Sequence, residues 1–182
     1  YTCTNYILLG FLIERVMKKP LEQLAEERIF RPLGMNDTKW GAPVDGALSR
    51  TIRTINAAPG VISDHGARAI APHRIGNAGI FSTASDLAKF CRMMLNRGRG
   101  FFKTDIAELF FTNQAPPGMT PRSIGWNMAP DFIPEGCSAS TIHHTGWTGQ
   151  AVWIDPAKQR FLILLTNRFG DSIESWRGRL EA

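Results

Sequence analysis

The sequence is poor in the features through which cysteine, metal or membrane chemistry would organise a chain. Its three cysteines, Cys3, Cys91 and Cys137, are odd in number, far apart and never in a Cys-x-x-Cys pair, which excludes a disulfide scaffold or a zinc finger. The four histidines, His65, His73, His143 and His144, include no pair one helical turn apart beside a glutamate, so a zinc-hydrolase helix is excluded and no metal or other cofactor is expected. The longest apolar run, Ile7 to Ile13, is interrupted by Gly10 and stops at Glu14-Arg15. Spanning a bilayer takes roughly 20 apolar residues. There are no repeats, no low-complexity segments and no basic stripe with interleaved aromatics, so nucleic acid is not an expected partner. The first residue is Tyr1 rather than Met, inside what reads as a motif entering a helix, and no leader can be read. The localisation is therefore left open, and the expectation is a portion of a longer protein.

What is present describes a globular chain. Of 182 residues, 43% are hydrophobic and 20% charged, with 21 basic against 16 acidic side chains, a balance that supports a packed core. The basic residues are scattered apart from Lys18-Lys19 and the Arg92, Arg97, Arg99 group.

Thr4 can cap a helix running to about Lys19, and its apolar residues (Tyr6, Ile7, Leu9, Phe11, Ile13, Val16, Met17) surround most of it, so it is expected to be deeply packed. Pro20 suits the first turn of a second helix with Leu21, Leu24, Ala25 and Ile29 on one face. That helix stops at Arg31-Pro32-Leu33-Gly34. About forty residues with little periodicity follow, and a connection that long is usually functional. Thr83 with Asp86 makes a capping-box-like start to a helix through Leu87, Phe90, Cys91, Met94 and Leu95. A short helix is expected over 104–111, and then the character turns to β. Candidate strands are 123–128, 141–145, 150–154 and 161–166, the last apolar enough to be central. Asp155-Pro156-Ala157-Lys158 is a turn between antiparallel neighbours. An amphipathic helix over 171–182 closes the chain. Helices first and strands after is an α+β order.

The stretch from His143 to Pro156 holds adjacent histidines, a hydroxyl and two glycines ahead of an alternating strand. Glycine weakens a strand, so two of them here mark either a bend or a place of close backbone approach. Together with Tyr1-Thr2-Cys3-Thr4-Asn5-Tyr6, Ile29 to Thr38, Asn77 to Leu87, Gly125-Trp126 and Leu165-Thr166-Asn167-Arg168, it resembles the serine penicillin-recognising superfamily: class C β-lactamases, D-alanyl-D-alanine carboxypeptidases and related esterases. The resemblance runs nearly end to end in one order. It implies an incomplete β-lactamase/transpeptidase-like fold, α+β, with residues 1–122 in the helical region and residues 123–182 forming antiparallel strands and a final helix.

The family carries three motifs. No lysine in this chain has a serine three residues before it, so Ser-x-x-Lys, which holds the nucleophile, does not occur. Tyr-x-Asn falls on Tyr1-Thr2-Cys3 and Lys/His-Thr-Gly on His144-Thr145-Gly146. The resemblance thus implies a catalytic phenol at Tyr1 and substrate contacts at Cys3, His144, Thr145 and Gly146. It also implies an oxyanion donor in the backbone N–H of Trp147. Cys3 departs from the family's Asn, and a thiol replaces an amide poorly as donor or acceptor. His144 in place of Lys is mostly neutral at pH 7. His143, its neighbour on a strand, is expected to face outward, away from the site. Trp147 and Trp153 remain open between packing and substrate contact.

Two functions stay open. One is a serine hydrolase forming an acyl-enzyme on a β-lactam, D-amino peptide or ester, with this chain inactive by itself. The other is a non-catalytic binding or scaffold domain. Partners expected are a small-molecule substrate and the missing N-terminal part of the same protein. Exposed apolar surface on the sheet side is expected to promote self-association.

Overall fold

The computed structural model describes residues 2–44, 46–55 and 58–167. Residues 171–182, expected as a helix, lie outside them. The chain divides into two units, one ending at Asp86 and the other beginning at Leu87.

In the first unit α1 (Cys3–Met17) starts two residues earlier than a cap at Thr4 would set it. Thr2 is the cap, its hydroxyl accepting from the Asn5 N–H at 3.3 Å, and Lys18 ends the helix in the left-handed conformation. The expectation of deep packing fails. Gly10 is the one buried residue of α1, while Leu8, Leu12 and Val16 are 57–67% exposed. Gly10 is buried because the backbone of Gly76 passes against it. A Cβ on Gly10 would lie 3.2 Å from the Gly76 N, and one on Gly76 would run into the Tyr6 carbonyl oxygen.

α2 (Leu21–Ala25) flows into a wide π-turn over Glu26–Phe30 and then α3 (Arg31–Leu33). The Arg31 N–H bonds to the Glu26 carbonyl five residues back. This extra residue moves the buried face on by one, so Phe30 is buried and Ile29 only half so, against the regular 3.6 spacing. The long connection is not featureless. It contains β1 (Lys39–Trp40), α4 (Gly46–Ser49) and α5 (His65–Ile70), and β1 pairs antiparallel with β2 (Ile80–Phe81). The buried Asp86 accepts from the Asp37 N–H at 2.8 Å and the Thr38 hydroxyl at 2.9 Å, and Ser82 Oγ lies 2.7 Å from Thr38 Oγ1. Two stretches 48 residues apart in sequence are thereby fastened together.

α6 (Ala84–Leu95) carries the chain into the second unit; as expected, its start is capped by Thr83, whose hydroxyl accepts from the Asp86 N–H at 3.2 Å. α7 (Thr104–Leu109) follows. The expected strand over 123–128 is instead a tight turn. Gly125 has φ +78°, and the Ser123 N–H reaches the Trp126 carbonyl at 3.1 Å. Asn127 alone joins the sheet, exchanging both backbone bonds with His143. A one-turn 3-10 helix over Pro130–Phe132 then leads toward the sheet.

That sheet has the order β3 (Ile142–Thr145), β4 (Gln150–Asp155), β5 (Arg160–Leu165), all antiparallel. β4 is the central strand among the described residues. Among the described residues β5, expected there from its apolar run, pairs only with β4 and leaves Leu162 and Leu165 about half exposed. Trp153 is buried on β4, its indole N–H donating to the Phe132 carbonyl at 2.6 Å, and with Ala151 and Leu164 it forms the sheet's apolar core. The turn after β4 is set by Asp155. Its carboxylate accepts from the Ser138 hydroxyl at 2.5 Å, the Ser138 N–H at 2.9 Å and the Lys158 N–H at 3.2 Å. Burial opposes the charged form of Asp155, but these bonds and the Arg160 cation outweigh it and hold the carboxyl below the usual range.

Candidate active site

His144, Thr145, Gly146 and Trp147 are brought together at one end of the second unit, where β3 turns into β4. The register pairs Thr145 with Ala151, His144 with Val152 and His143 with Trp153. Directly opposed residues share a face, so Thr145 and His143 lie on the face of the buried Trp153, and His144 lies on the other. Thr145 and His144 therefore meet at the strand edge, not on a common face.

The backbone alternates in the same way. His143 directs its N–H and C=O toward Asn127, and the Gly146 N–H bonds to the Gln150 carbonyl at 2.7 Å on the β4 side. The Thr145 backbone thus belongs to the outer edge, beyond Asn127. His144 reaches round to it, with Nδ1 3.1 Å from the Thr145 carbonyl. A carbonyl can only accept, so Nδ1 carries the proton and the neutral ring has its lone pair on Nε2. Burial lowers the His144 pKa below the ordinary 6.5, the Arg122 charge adds to this, and the bond to Thr145 opposes it. At neutral pH this is an uncharged imidazole suited to accept a proton at Nε2.

His143 corrects the expectation that it faces outward. It is 1% exposed, its Nε2 donates to the Ala129 carbonyl at 3.2 Å, and its ring lies against Phe132 with centroids 6.1 Å apart. The reason is register: of the two histidines, the one opposite Trp153 must share the packed face. Its Nδ1 is buried and has no hydrogen-bond partner among the described residues. Burial lowers its pKa as well, helped by His144 and Arg122 and opposed by the Ala129 bond.

The loop 146–149 turns tightly, with Gly149 at φ +107° and its N–H on the Gly146 carbonyl at 3.1 Å. Gly146 meets a need visible within the chain itself, since a Cβ there would lie 2.9 Å from Gln150 Oε1. That oxygen accepts the Thr148 hydroxyl at 2.7 Å, and the Gln150 Nε2 donates to the Thr166 carbonyl at 3.0 Å. This pair is not marked in the sequence, where Gln150 reads as an ordinary polar position after Thr148-Gly149. Trp147 stands out from the loop, 76% exposed, while Trp153 is core.

Cys3 lies in the first unit, exposed in the first turn of α1. Tyr1 lies outside the described residues. Of the other thiols, Cys91 is fully buried, and burial pushes it up to about 12, which leaves it without nucleophilic character at neutral pH. Among the described residues no group of three His, Cys, Asp or Glu side chains could hold a metal ion. An apolar cavity of about 620 Å³ in the first unit, walled by Leu12, Val16, Leu24, Phe30, Trp40 and Ile80, contains none of the expected site residues.

With this geometry in hand, comparison with known proteins is specific. The family model described as Beta-lactamase matches residues 1–182. An Escherichia coli O157:H7 protein, named provisionally as a D-alanyl-D-alanine carboxypeptidase, is 31% identical over 199 residues, which take in 92% of this chain and 44% of that protein. This chain therefore spans less than half the length of that relative. A mutant of simvastatin synthase from Aspergillus terreus superposes with a TM-score of 0.75 at 18% identity, covering 96% of this chain and 50% of its own. A hydrolase with promiscuous acyltransferase activity, EstCE1, gives 0.73 at 19% identity, covering 99% and 54%. At such identities the solved structures establish the fold, β-lactamase/transpeptidase-like, and no more.

Proposed function

The chain belongs to the Beta-lactamase family, and from that premise we propose that it supplies one wall of the acyl-transfer site of a serine hydrolase. The observation that carries this is the neutral, half-buried His144, held by the Thr145 carbonyl at the mouth of a glycine hairpin. His144 Nε2 takes or returns a proton as the acyl group moves. The Thr145 hydroxyl binds the substrate's carboxylate or leaving group. The Trp147 N–H is the second oxyanion donor, worth about 3 kcal/mol to a tetrahedral intermediate. Gly146 keeps the approach open for the acyl group. Tyr1 supplies the phenol and Cys3 a weak contact to the substrate carbonyl. The serine nucleophile is not among these 182 residues, since no Ser-x-x-Lys occurs in them, and the chain by itself is inactive. The small-molecule substrate is an ester or D-amino peptide rather than a β-lactam. Support for this order comes from the uncharged His144, which offers a substrate carboxylate no permanent cation, and from Cys3 in place of an amide. The relatives' names, a carboxypeptidase and a hydrolase with acyltransferase activity, agree with it.

The test uses the protein that carries these residues. A fluorophosphonate should label one serine outside residues 1–182, and a p-nitrophenyl acyl ester should turn over faster than nitrocefin. Labelling of the 182-residue chain alone would refute the placement of the nucleophile, and a dominant nitrocefin rate would reverse the substrate order.

A non-catalytic binding or scaffold domain is the second reading. It is favoured by one specific feature, Cys3 at a position where an amide would serve the substrate. Absence of any labelled serine in the protein, with a D-amino peptide still bound, would establish it.

A further inference from the structure

We propose that Gln150 is the positioning residue of this site, a brace that fixes loop 146–149 so that the Trp147 N–H is aimed at the developing oxyanion. The proposal rests on the acyl-transfer reading above.

Gln150 opens β4 ahead of Ala151-Val152-Trp153-Ile154, a position where a β-branched or aromatic side chain would pack better than an amide. Instead the amide is fully engaged. Its Oε1 accepts the Thr148 hydroxyl at 2.7 Å, and its Nε2 donates to the Thr166 carbonyl at 3.0 Å and, more weakly, to the Thr148 carbonyl at 3.5 Å. From the β5 side the Thr166 hydroxyl donates to the Gly149 carbonyl at 2.5 Å. The Gln150 backbone carbonyl takes the Gly146 N–H at 2.7 Å. Gly146, Thr148 and Gly149 are thus each tied to Gln150 or to its Thr166 partner. Trp147 stands between Gly146 and Thr148, and its indole is 76% exposed. The Gly146–Trp147 peptide is held from its other end by the Gly149 N–H, which donates to the Gly146 carbonyl at 3.1 Å, so fixing Gly146, Thr148 and Gly149 constrains the direction of the Trp147 amide.

Gly146 is matched to this brace. The gap between its Cα and Gln150 Oε1 has no room for a methyl group, which would sit 2.9 Å from that oxygen. The oxygen cannot swing away without releasing Thr148. An oxyanion donor acts only if it is aligned before the charge develops, and a shift of about 1 Å can cost 100-fold in rate. The brace supplies that alignment through the Gln150 side-chain bonds to Thr148 and Thr166.

Gln150→Met removes both ends of the brace at nearly constant volume, and Gln150→Glu tests its chemistry. For Gln150→Met, kcat on an acyl ester should fall about 10- to 100-fold with KM within about twofold of the parent. The affinity of a boronic acid, which mimics the tetrahedral adduct, should fall in parallel with kcat/KM. For Gln150→Glu, an ionised carboxylate confronts the Thr166 carbonyl, whereas a protonated one restores both bonds. Its rate relative to the parent should therefore rise as pH falls through the carboxyl's titration, a signature a merely structural side chain would not give. Parental kcat in Gln150→Met, with the serine still labelled by fluorophosphonate, overturns the proposal. So does a loss of melting temperature that lowers kcat and labelling stoichiometry together. If the parent protein neither turns over nor is labelled, the acyl-transfer reading fails, and the brace is read separately by amide hydrogen exchange in the 182-residue chain. Gln150→Met should then speed exchange at Trp147, Thr148 and Gly149 and leave the β4–β5 amides unchanged; unchanged loop amides overturn the brace.

Discussion

In the first unit α1 meets the Gly76 segment through two glycines, backbone against backbone, while Leu8, Leu12 and Val16 on its remaining surface stay in solvent. In the second unit the β3–β4 hairpin is fixed by side chains: Gln150 and Thr166 under the loop, Asp155 at the far turn, Trp153 between. The first arrangement depends on the absence of atoms and defines how close two elements come. The second depends on directed bonds and defines where each backbone group points. A site that must aim an N–H at a reacting oxygen needs the second kind. His144, Thr145, Gly146 and Trp147 lie in the hairpin, whereas Cys3 lies in the first turn of α1.

The contrast breaks most readily at the centre of each unit. Trp153→Ala should cost about 3–5 kcal/mol in a denaturant melt of the second unit, since it empties the sheet core and leaves the Phe132 carbonyl without its donor. Gly76→Ala should cost about 1–3 kcal/mol in the first unit, because the methyl group meets the Tyr6 carbonyl and neither backbone can yield. If Gly76→Ala proves neutral, α1 is not seated by close approach and the comparison falls. Asp86→Ala belongs next, at about 1–3 kcal/mol, because it strands the Asp37 N–H and leaves the Thr38 hydroxyl to Ser82 Oγ. Loss of the Thr38–Asp86 bond with no change in stability would show that the Thr38–Ser82 bond and the β1–β2 pairing suffice to join these two stretches.

Much of the second unit could be read from the residues. The candidate strands over 141–145, 150–154 and 161–166 coincide with β3, β4 and β5, alternation marking β4 and a continuous apolar run marking β5; the Asp-Pro pair locates the β4–β5 turn, and Thr83 the start of α6. Spacing does not say which face of a strand the rest of the molecule covers. For this reason His143 and His144 are assigned correctly to opposite faces but His143 wrongly to the outer one, and β5 is placed at the centre. Apolar residues all round α1 suggested burial, yet composition alone cannot supply the surface that would bury them. The π-turn at Glu26–Phe30 shifts the buried face by one residue, and no periodicity in the sequence marks that extra residue. Of the site, the His144-Thr145-Gly146 edge was legible as a motif. The Gln150 brace was not, because it joins residues of β4, the loop and the end of β5 through an amide that reads as an ordinary polar position.

Acid should sharpen the comparison, since the side-chain bonds of the second unit titrate and the glycine contact of the first does not. His143 and His144 have folded pKa values below the ordinary 6.5. The unfolded chain then binds protons that the folded one refuses, so this stability is complete above about pH 6.5 and is lost as pH falls below it. Asp155, lowered beneath 3.8, contributes stability that is complete above that value and lost as pH falls further. Melting of the second unit should therefore weaken in two acid steps. His143→Phe should remove the His143 share of the first step, since a phenyl ring keeps the contact with Phe132 and carries no proton. Activity, if His144 must be neutral, should fall with the same upper step even in His143→Phe. A single acid step below pH 4 in the parent would show that neither histidine is held neutral by burial.

The smallest effect on stability falls at the surface of α1. Leu8, Leu12 and Val16 are already in solvent, so Leu8→Gln, Leu12→Gln and Val16→Lys should each change the unfolding free energy by no more than about 0.5 kcal/mol. Together they remove a contiguous apolar stripe, because positions four apart lie on one face of a helix. The expected consequence is in solution behaviour. The parent chain should associate with rising concentration in sedimentation equilibrium, and the triple variant should shift toward monomer at equal concentration. A matching pair of changes on β5, Leu162→Gln and Leu165→Thr, asks whether the sheet edge contributes as well. If the α1 variant associates as the parent does and the β5 variant does not, the sticky surface belongs to the second unit. The contrast between a precise, polar hairpin and an uncovered apolar helix would then have to be redrawn.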